Sequence, residues 1–107
     1  MNETFSLQIV TLQKAWERME IRRANILLKT GYYTVMAGHE KFVGFMKAHT
    51  AEIRDADNEP AYLSVSDGIA EMDGDRLLLL VQRAEECSVP RPQGRLKAAG
   101  SRRSAER

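Results

Sequence analysis

The feature that most constrains this chain is the punctuation of its second half. From Thr50 onward, short alternating runs are broken by turn signals about every 8–12 residues. Thr50 to Arg54 alternates and ends at Asp55-Ala-Asp-Asn-Glu-Pro60, a turn cluster. Ala61-Tyr-Leu-Ser-Val-Ser66 alternates again, setting Tyr62 against Leu63 and Val65. Ile69 and Met72 follow Asp67-Gly68, and Asp73-Gly74 is a two-residue hairpin signal. Arg76-Leu-Leu-Leu-Leu-Val-Gln82 is a continuous apolar run, as expected of a buried strand. Such a meander predicts an all-β sandwich or barrel.

The first half fits with one ambiguity. Thr4 to Thr11 sets Phe5, Leu7 and Ile9 against Ser6, Gln8 and Val10, a half-buried strand of period 2. Gly31 to Met36 is rich in Tyr, Thr and Val, and Phe42 to Met46 is short and apolar. Residues 14–29 are the difficult stretch. Ala, Glu, Arg, Met and Leu favour a helix there, with no Gly or Pro before Lys29. As a strand, Met19 and Ile21 share a face with Ala15 while Arg18, Glu20 and Arg22 share the other. The residues alone leave both forms open.

The stretch from Gly31 to Lys47 gathers three of the seven glycines, two of the three tyrosines, two of the three phenylalanines and one of the two histidines. A Gly38-His39 corner with aromatics on both arms suits docking against another protein; the alternative is a sheet corner whose aromatics pack in the core.

At 107 residues the chain holds one domain, large enough for a modest core without disulfides or a structural metal. The single Cys87 forms no internal disulfide, which fits a reducing compartment. The opening MNETFSLQIVTLQK lacks a charged-then-apolar leader pattern, and no apolar run approaches the ~20 residues of a membrane span. The net charge of +1 hides a division. Residues 1–87 carry 10 Lys and Arg against 14 Asp and Glu, a net of −4. Residues 88–107, SVPRPQGRLKAAGSRRSAER, carry 6 against 1, a net of +5. This division predicts a folded domain over 1–87 and a disordered basic tail over 88–107.

Catalytic and ligand patterns are weak. His39 and His49 fit no metal motif, and the scattered glycines make no phosphate loop. Asp73-Gly74-Asp75 lacks the ligand count of a calcium loop, and no histidine accompanies Ser64, Ser66 and Asp67 by spacing. The expectation is a non-enzyme without metal or cofactor. No aromatic interleaves the tail arginines, so nucleic acid is not expected, although binding to it or to a protein through the tail is the alternative. If residues 14–29 were helical, a small mixed helix–strand partner protein would be the reading instead.

The order of motifs resembles the N-terminal β-sandwich of the epsilon subunit of rotary F-type ATP synthases. The resemblance rests on Phe5-Ser-Leu-Gln-Ile-Val-Thr11, on Gly31 through Val35 to Gly38-His39, and on Phe42 to Lys47. It continues through Tyr62-Leu-Ser-Val-Ser-Asp-Gly68 and Ile69 to Val81, then Arg83-Ala84-Glu85. Departures are Tyr32 for an acidic residue, Thr34 for Gly, Ala37 and Glu40 for the prolines flanking Gly-His, and Asp67 for a Gly. His39-Glu-Lys-Phe-Val and Asp67-Gly-Ile are closer to the alternate, N-type ATPases.

The resemblance implies a flattened β-sandwich of about ten short strands, two of them within residues 14–29. It implies a non-catalytic central-stalk subunit between the gamma shaft and the c-subunit ring, in a complex with alpha and beta. The complex would lie peripherally at the cytoplasmic face of a bacterial inner membrane, coupling ion flow to ATP synthesis or hydrolysis. Gly31, Tyr32, Tyr33, Met36, Gly38, His39, Glu40 and Phe42 would be the interface, and Ser66, Gly68, Asp73 and Gly74 structural turn residues. Beyond Glu86 the family pattern ends; Pro90 and Pro92 would interrupt a helix. No helical hairpin, ATP site or hairpin-type inhibition is therefore expected. The tail either meets anionic lipid head groups or is simply solvated.

Overall fold

The computed structural model describes residues 3–87; the basic segment 88–107, with every expectation attached to it, lies outside the described residues. Nine strands are present among the described residues: β1 (Phe5–Val10), β2 (Met19–Leu28), β3 (Gly31–Met36), β4 (Phe42–Met46), β5 (His49–Asp55), β6 (Pro60–Val65), β7 (Gly68–Asp73), β8 (Arg76–Val81) and β9 (Ala84–Cys87). No helix occurs among the described residues.

The strands form two layers that share β2. One runs β3-β2-β5-β6-β9 and the other β1-β8-β7-β4. β2 touches the second layer at both ends, pairing Met19 to Ile21 with β1 and Leu28 with Met46 of β4. The β1–β8 contact is parallel, with Ser6 opposite Arg76 and Val10 opposite Leu80.

Inward positions follow the period-2 pattern. Phe5, Leu7 and Ile9 of β1 meet Leu77 and Leu79 of β8, Ile26 of β2, Ile53 of β5, Leu63 of β6 and Met72 of β7 in one buried cluster. Each fully buried side chain of this size contributes roughly 1.5–3 kcal/mol relative to exposure. That burial overrides the helical propensity of residues 14–29.

Those residues differ from the two short strands expected. They hold one ten-residue strand, preceded by a single bridge between Val10 and Ala15. A bulge explains why the alternation looked confused. Ile21 faces Asp55 and Arg23 faces Arg54, so Arg22 is an extra residue on β2. Ile21 points inward before the bulge, and Ala24, Ile26 and Leu28 point inward after it. Strict alternation from Ile21 would have put Arg23 in the core; the extra residue re-phases the strand. The Arg22 side chain donates through Nε to the Ala56 carbonyl at 2.8 Å.

The β7–β8 hairpin also differs in detail. Asp73 and Arg76 are its closing pair, so its two-residue loop is Gly74-Asp75 rather than Asp73-Gly74. Gly74 has φ of 70° at the first loop position, the type II′ arrangement. Ser66 ties the last strands together. Its hydroxyl accepts from the amides of Gln82 at 2.9 Å and Arg83 at 3.0 Å, and donates to the Asp67 carbonyl.

Candidate functional site

Strand β3 sorts the aromatic stretch into two sets. Tyr33 and Val35 face the core, while Tyr32, Thr34 and Met36 face outward. Tyr32 is 73% exposed. Tyr33 stacks at a tilt on Phe42, with ring centroids 5.5 Å apart, and both pack against the core cluster. Past Met36 the chain turns at Gly38, whose φ of 82° is a conformation that side chains with a Cβ resist. The His39 amide closes the turn on the Met36 carbonyl at 3.0 Å. Its ring lies edge-on to Phe42 at 5.4 Å, and Nδ1 donates to the Glu40 carbonyl at 2.8 Å.

The structure therefore divides the eight expected interface residues. Tyr32, Met36, Gly38 and Glu40 are exposed; Tyr33, His39 and Phe42 form the stiffening cluster beneath, and Gly31 opens β3. Tyr32 and His39 also lie at opposite ends of β3, because that strand runs uninterrupted from Gly31 to Met36. Of the expected structural residues, Asp73 meets Lys41 in an exposed ion pair at 3.7 Å, and Gly68 lies tight against β8.

Sequence reasoning missed a second surface. On the outer face of the β1-β8-β7-β4 layer, Phe45 lies opposite Ile69, Ile69 opposite Leu80, and Leu80 opposite Val10. The next row is Val43, Glu71, Leu78 and Gln8. Val43 is 70% exposed, Phe45 64% and Leu80 40%. Lys29 Nζ stands over the Phe45 ring at 5.5 Å. Directly opposed side chains on one sheet face are about 5 Å apart, so Phe45, Ile69, Leu80 and Val10 make a continuous apolar strip, flanked by a row in which Glu71 and Gln8 alternate with Val43 and Leu78. In the run from Arg76 to Gln82, Leu77, Leu79 and Val81 are buried as expected of a buried strand, but Leu80 on its other face is uncovered among the described residues. The signal for this surface was that same run, apolar at successive positions and so on both faces.

The outer face of the other layer differs in chemistry. Thr34, Asn25, Glu52 and Tyr62 lie opposite one another across β3, β2, β5 and β6. The Thr34 hydroxyl donates to Asn25 Oδ1 at 2.6 Å, and Asn25 Nδ2 donates to Glu52 at 3.4 Å. Glu52 also meets Arg54 at 3.9 Å.

Among the described residues, no three His, Cys, Asp or Glu side chains come together as a metal site, and no helix is long and apolar enough to cross a membrane. His49 is half-buried where β4 meets β5. Burial pushes its imidazole below the ordinary value, with a weaker opposing effect from its bond to the Lys47 carbonyl.

Comparison with known proteins places this architecture. Residues 4–87 match the ATP synthase delta/epsilon chain β-sandwich domain. The ATP synthase epsilon chain of Magnetococcus marinus is 30% identical over 84 residues, covering 78% of this chain and 61% of that relative. This chain therefore spans about three-fifths of that relative's length. A chain of the Euglena gracilis mitochondrial ATP synthase structure, described as OSCP/F1/c-ring in rotational state 1, superposes with a TM-score of 0.73. It is 16% identical, with 78% of this chain and 53% of that one covered. A chain of the Tetrahymena thermophila mitochondrial ATP synthase central stalk/c-ring structure gives a TM-score of 0.65 at 9% identity, covering 78% and 67%. At such identities these two likenesses are of fold. The all-strand sandwich and the match over residues 4–87 together make this chain a member of the ATP synthase delta/epsilon chain family, through its β-sandwich domain.

Proposed function

We propose that this chain is a non-catalytic, epsilon-type central-stalk subunit of a rotary ATP synthase or ATPase. Its outer apolar face packs on the gamma shaft, and the exposed residues around β3 meet the ring of c subunits. It thereby helps couple ion flow to ATP synthesis or hydrolysis, peripherally at the cytoplasmic face of a bacterial inner membrane. One observation carries the reading: β8, apolar at successive positions, has one face uncovered among the described residues, beside exposed Val43 and Phe45. Contiguous apolar surface of this kind is a docking site far more often than a solvated one. Tyr32 and Met36 supply large, rimmed anchors of the type found in protein interfaces.

The test is affinity capture of the tagged full chain from solubilised native membranes, with partners identified by mass spectrometry. Recovery of alpha, beta, gamma and c subunits in fixed proportion is the expected result. Capture of none of them from membranes that contain the complex overturns the assignment.

A further inference from the structure

At the point where β4 and β5 separate beside β2, one side chain completes the hydrogen-bond ladder. β2 pairs with β5 as far as Asn25 and Glu52, and with β4 only at Leu28 and Met46. Leu27 lies in the gap between these contacts. Its carbonyl accepts from the Lys47 amide at 3.0 Å. Its amide donates to Nε2 of His49, also at 3.0 Å. The other ring nitrogen, Nδ1, lies 2.6 Å from the Lys47 carbonyl oxygen. A carbonyl only accepts, so the proton is on Nδ1; an amide only donates, so Nε2 holds its lone pair. Both bonds coexist only on the neutral ring. A second proton would set one N–H against another.

We propose that His49 is a proton-operated latch: the neutral imidazole fastens the β4–β5 corner to β2, and the imidazolium releases it. The corner carries the end of the apolar face, since the Phe45 carbonyl is held by the Lys29 amide at 2.8 Å. Acidification therefore loosens that face and weakens docking through it. This last step rests on the docking reading above, whereas the latch itself does not.

Other ionisable groups lie on the elements meeting there. Lys47 precedes the ring by two residues, and Lys29 follows Leu27 by two on β2. Asp67, from the β6–β7 connection, accepts the Ala48 amide at 2.8 Å. Glu52 lies further along β5, the Tyr32 phenol belongs to the residue opposite Leu27 on β3, and Val65 opposite His49 on β6 is uncharged. Burial disfavours the imidazolium, and the bond to the Lys47 carbonyl acts more weakly against it. The folded state thus favours the neutral ring below the ordinary histidine value of 6.5. The latch is complete above that pH, and its contribution is lost as pH falls from there toward the ring's own midpoint.

Amide exchange of the full chain, corrected for its intrinsic pH dependence, reads the latch alongside an NMR titration of the His49 ring. Protection at Leu27 should fall about tenfold per pH unit from 6.5 down to the ring's midpoint and then level off. His49→Gln keeps an acceptor within reach of the Leu27 amide and takes no proton in this range, so its profile should be flat. A ring that titrates while Leu27 protection stays constant overturns the proposal, as does a His49→Gln chain with the wild-type profile. Should that variant fail to fold, the wild-type comparison of ring and amide decides alone. Gamma capture measured across the same pH range tests the consequence for docking, so failure of the docking reading leaves the latch result standing.

Discussion

On one side of the sandwich, outward-facing Thr34, Asn25 and Glu52 bond to one another across three strands; on the other, outward-facing Phe45, Ile69 and Leu80 meet only as apolar neighbours. Both rows stand on the same kind of pleated surface, and both lie over the same core. The difference lies in what each needs from its surroundings. A polar row with its own hydrogen bonds is stable facing water. An apolar row gains only when another apolar surface covers it. Magnitudes then bear on what the partner must supply. Covering four such side chains contributes roughly 1.5–3 kcal/mol apiece as an upper bound. Association opposes this with about 4–15 kcal/mol of lost freedom. The apolar face alone would make a marginal complex, so a second contact such as Tyr32 and Met36 is required.

The comparison is broken most directly by charging one face at a time. Phe45→Asp combined with Leu80→Asp should reduce gamma binding by at least about 2–4 kcal/mol, read by calorimetric titration. Thr34→Lys with Tyr62→Lys, on the polar face, should leave it unchanged. Equal losses from both pairs would show that the faces are not functionally distinct.

A smaller effect concerns what holds the apolar rows in register. A Cβ at Gly68 would lie 2.1 Å from the Leu80 carbonyl oxygen, which is backbone and cannot swing aside. Gly68→Ala should therefore push β7 from β8 and cost about 1–3 kcal/mol, read as a lower urea midpoint. An unchanged midpoint would contradict the close approach.

The polar row should respond more mildly. Asn25→Ala removes the partner of the Thr34 hydroxyl and one of the Glu52 contacts, for a loss of about 1 kcal/mol in the same unfolding measurement. Val43→Ser, exposed on the other face, should change stability by no more than about 0.5 kcal/mol. A larger loss from Val43→Ser than from Asn25→Ala would reverse the contrast. The least effect is expected at the exposed Lys41–Asp73 pair, where Lys41→Ala should stay within about 0.5 kcal/mol.

The parts legible in the sequence were those where one local rule acts alone. Phe5, Leu7 and Ile9 alternate without interruption, and their strand is found where the period puts it. The segment 14–29 was ambiguous because a bulge at Arg22 breaks the phase on which a strand is recognised. Strand β9, Ala84–Cys87, has no alternation; it forms because β6 offers an open edge, which is a tertiary fact. The loop at Gly38-His39 was visible as chemistry, yet the division of Tyr32 from Tyr33 needed the orientation of β3. The exposure of Leu80 was hidden for a different reason. Periodicity reports how many faces of a strand are apolar, but not which molecule covers them.

The parallel pairing of β1 with β8 has a consequence for how the chain is made. Ser6 and Arg76 are neighbours in the sheet yet stand 70 positions apart in sequence. During synthesis β1 therefore waits, unpaired along that edge, until β8 has been made. Ring closure over such a span is slow, and exposed strands are vulnerable to pairing with other chains in the interval. The antiparallel hairpin that delivers β8 forms locally and quickly by comparison. Of these two paired strands, the one made first must hold an open edge until the other arrives.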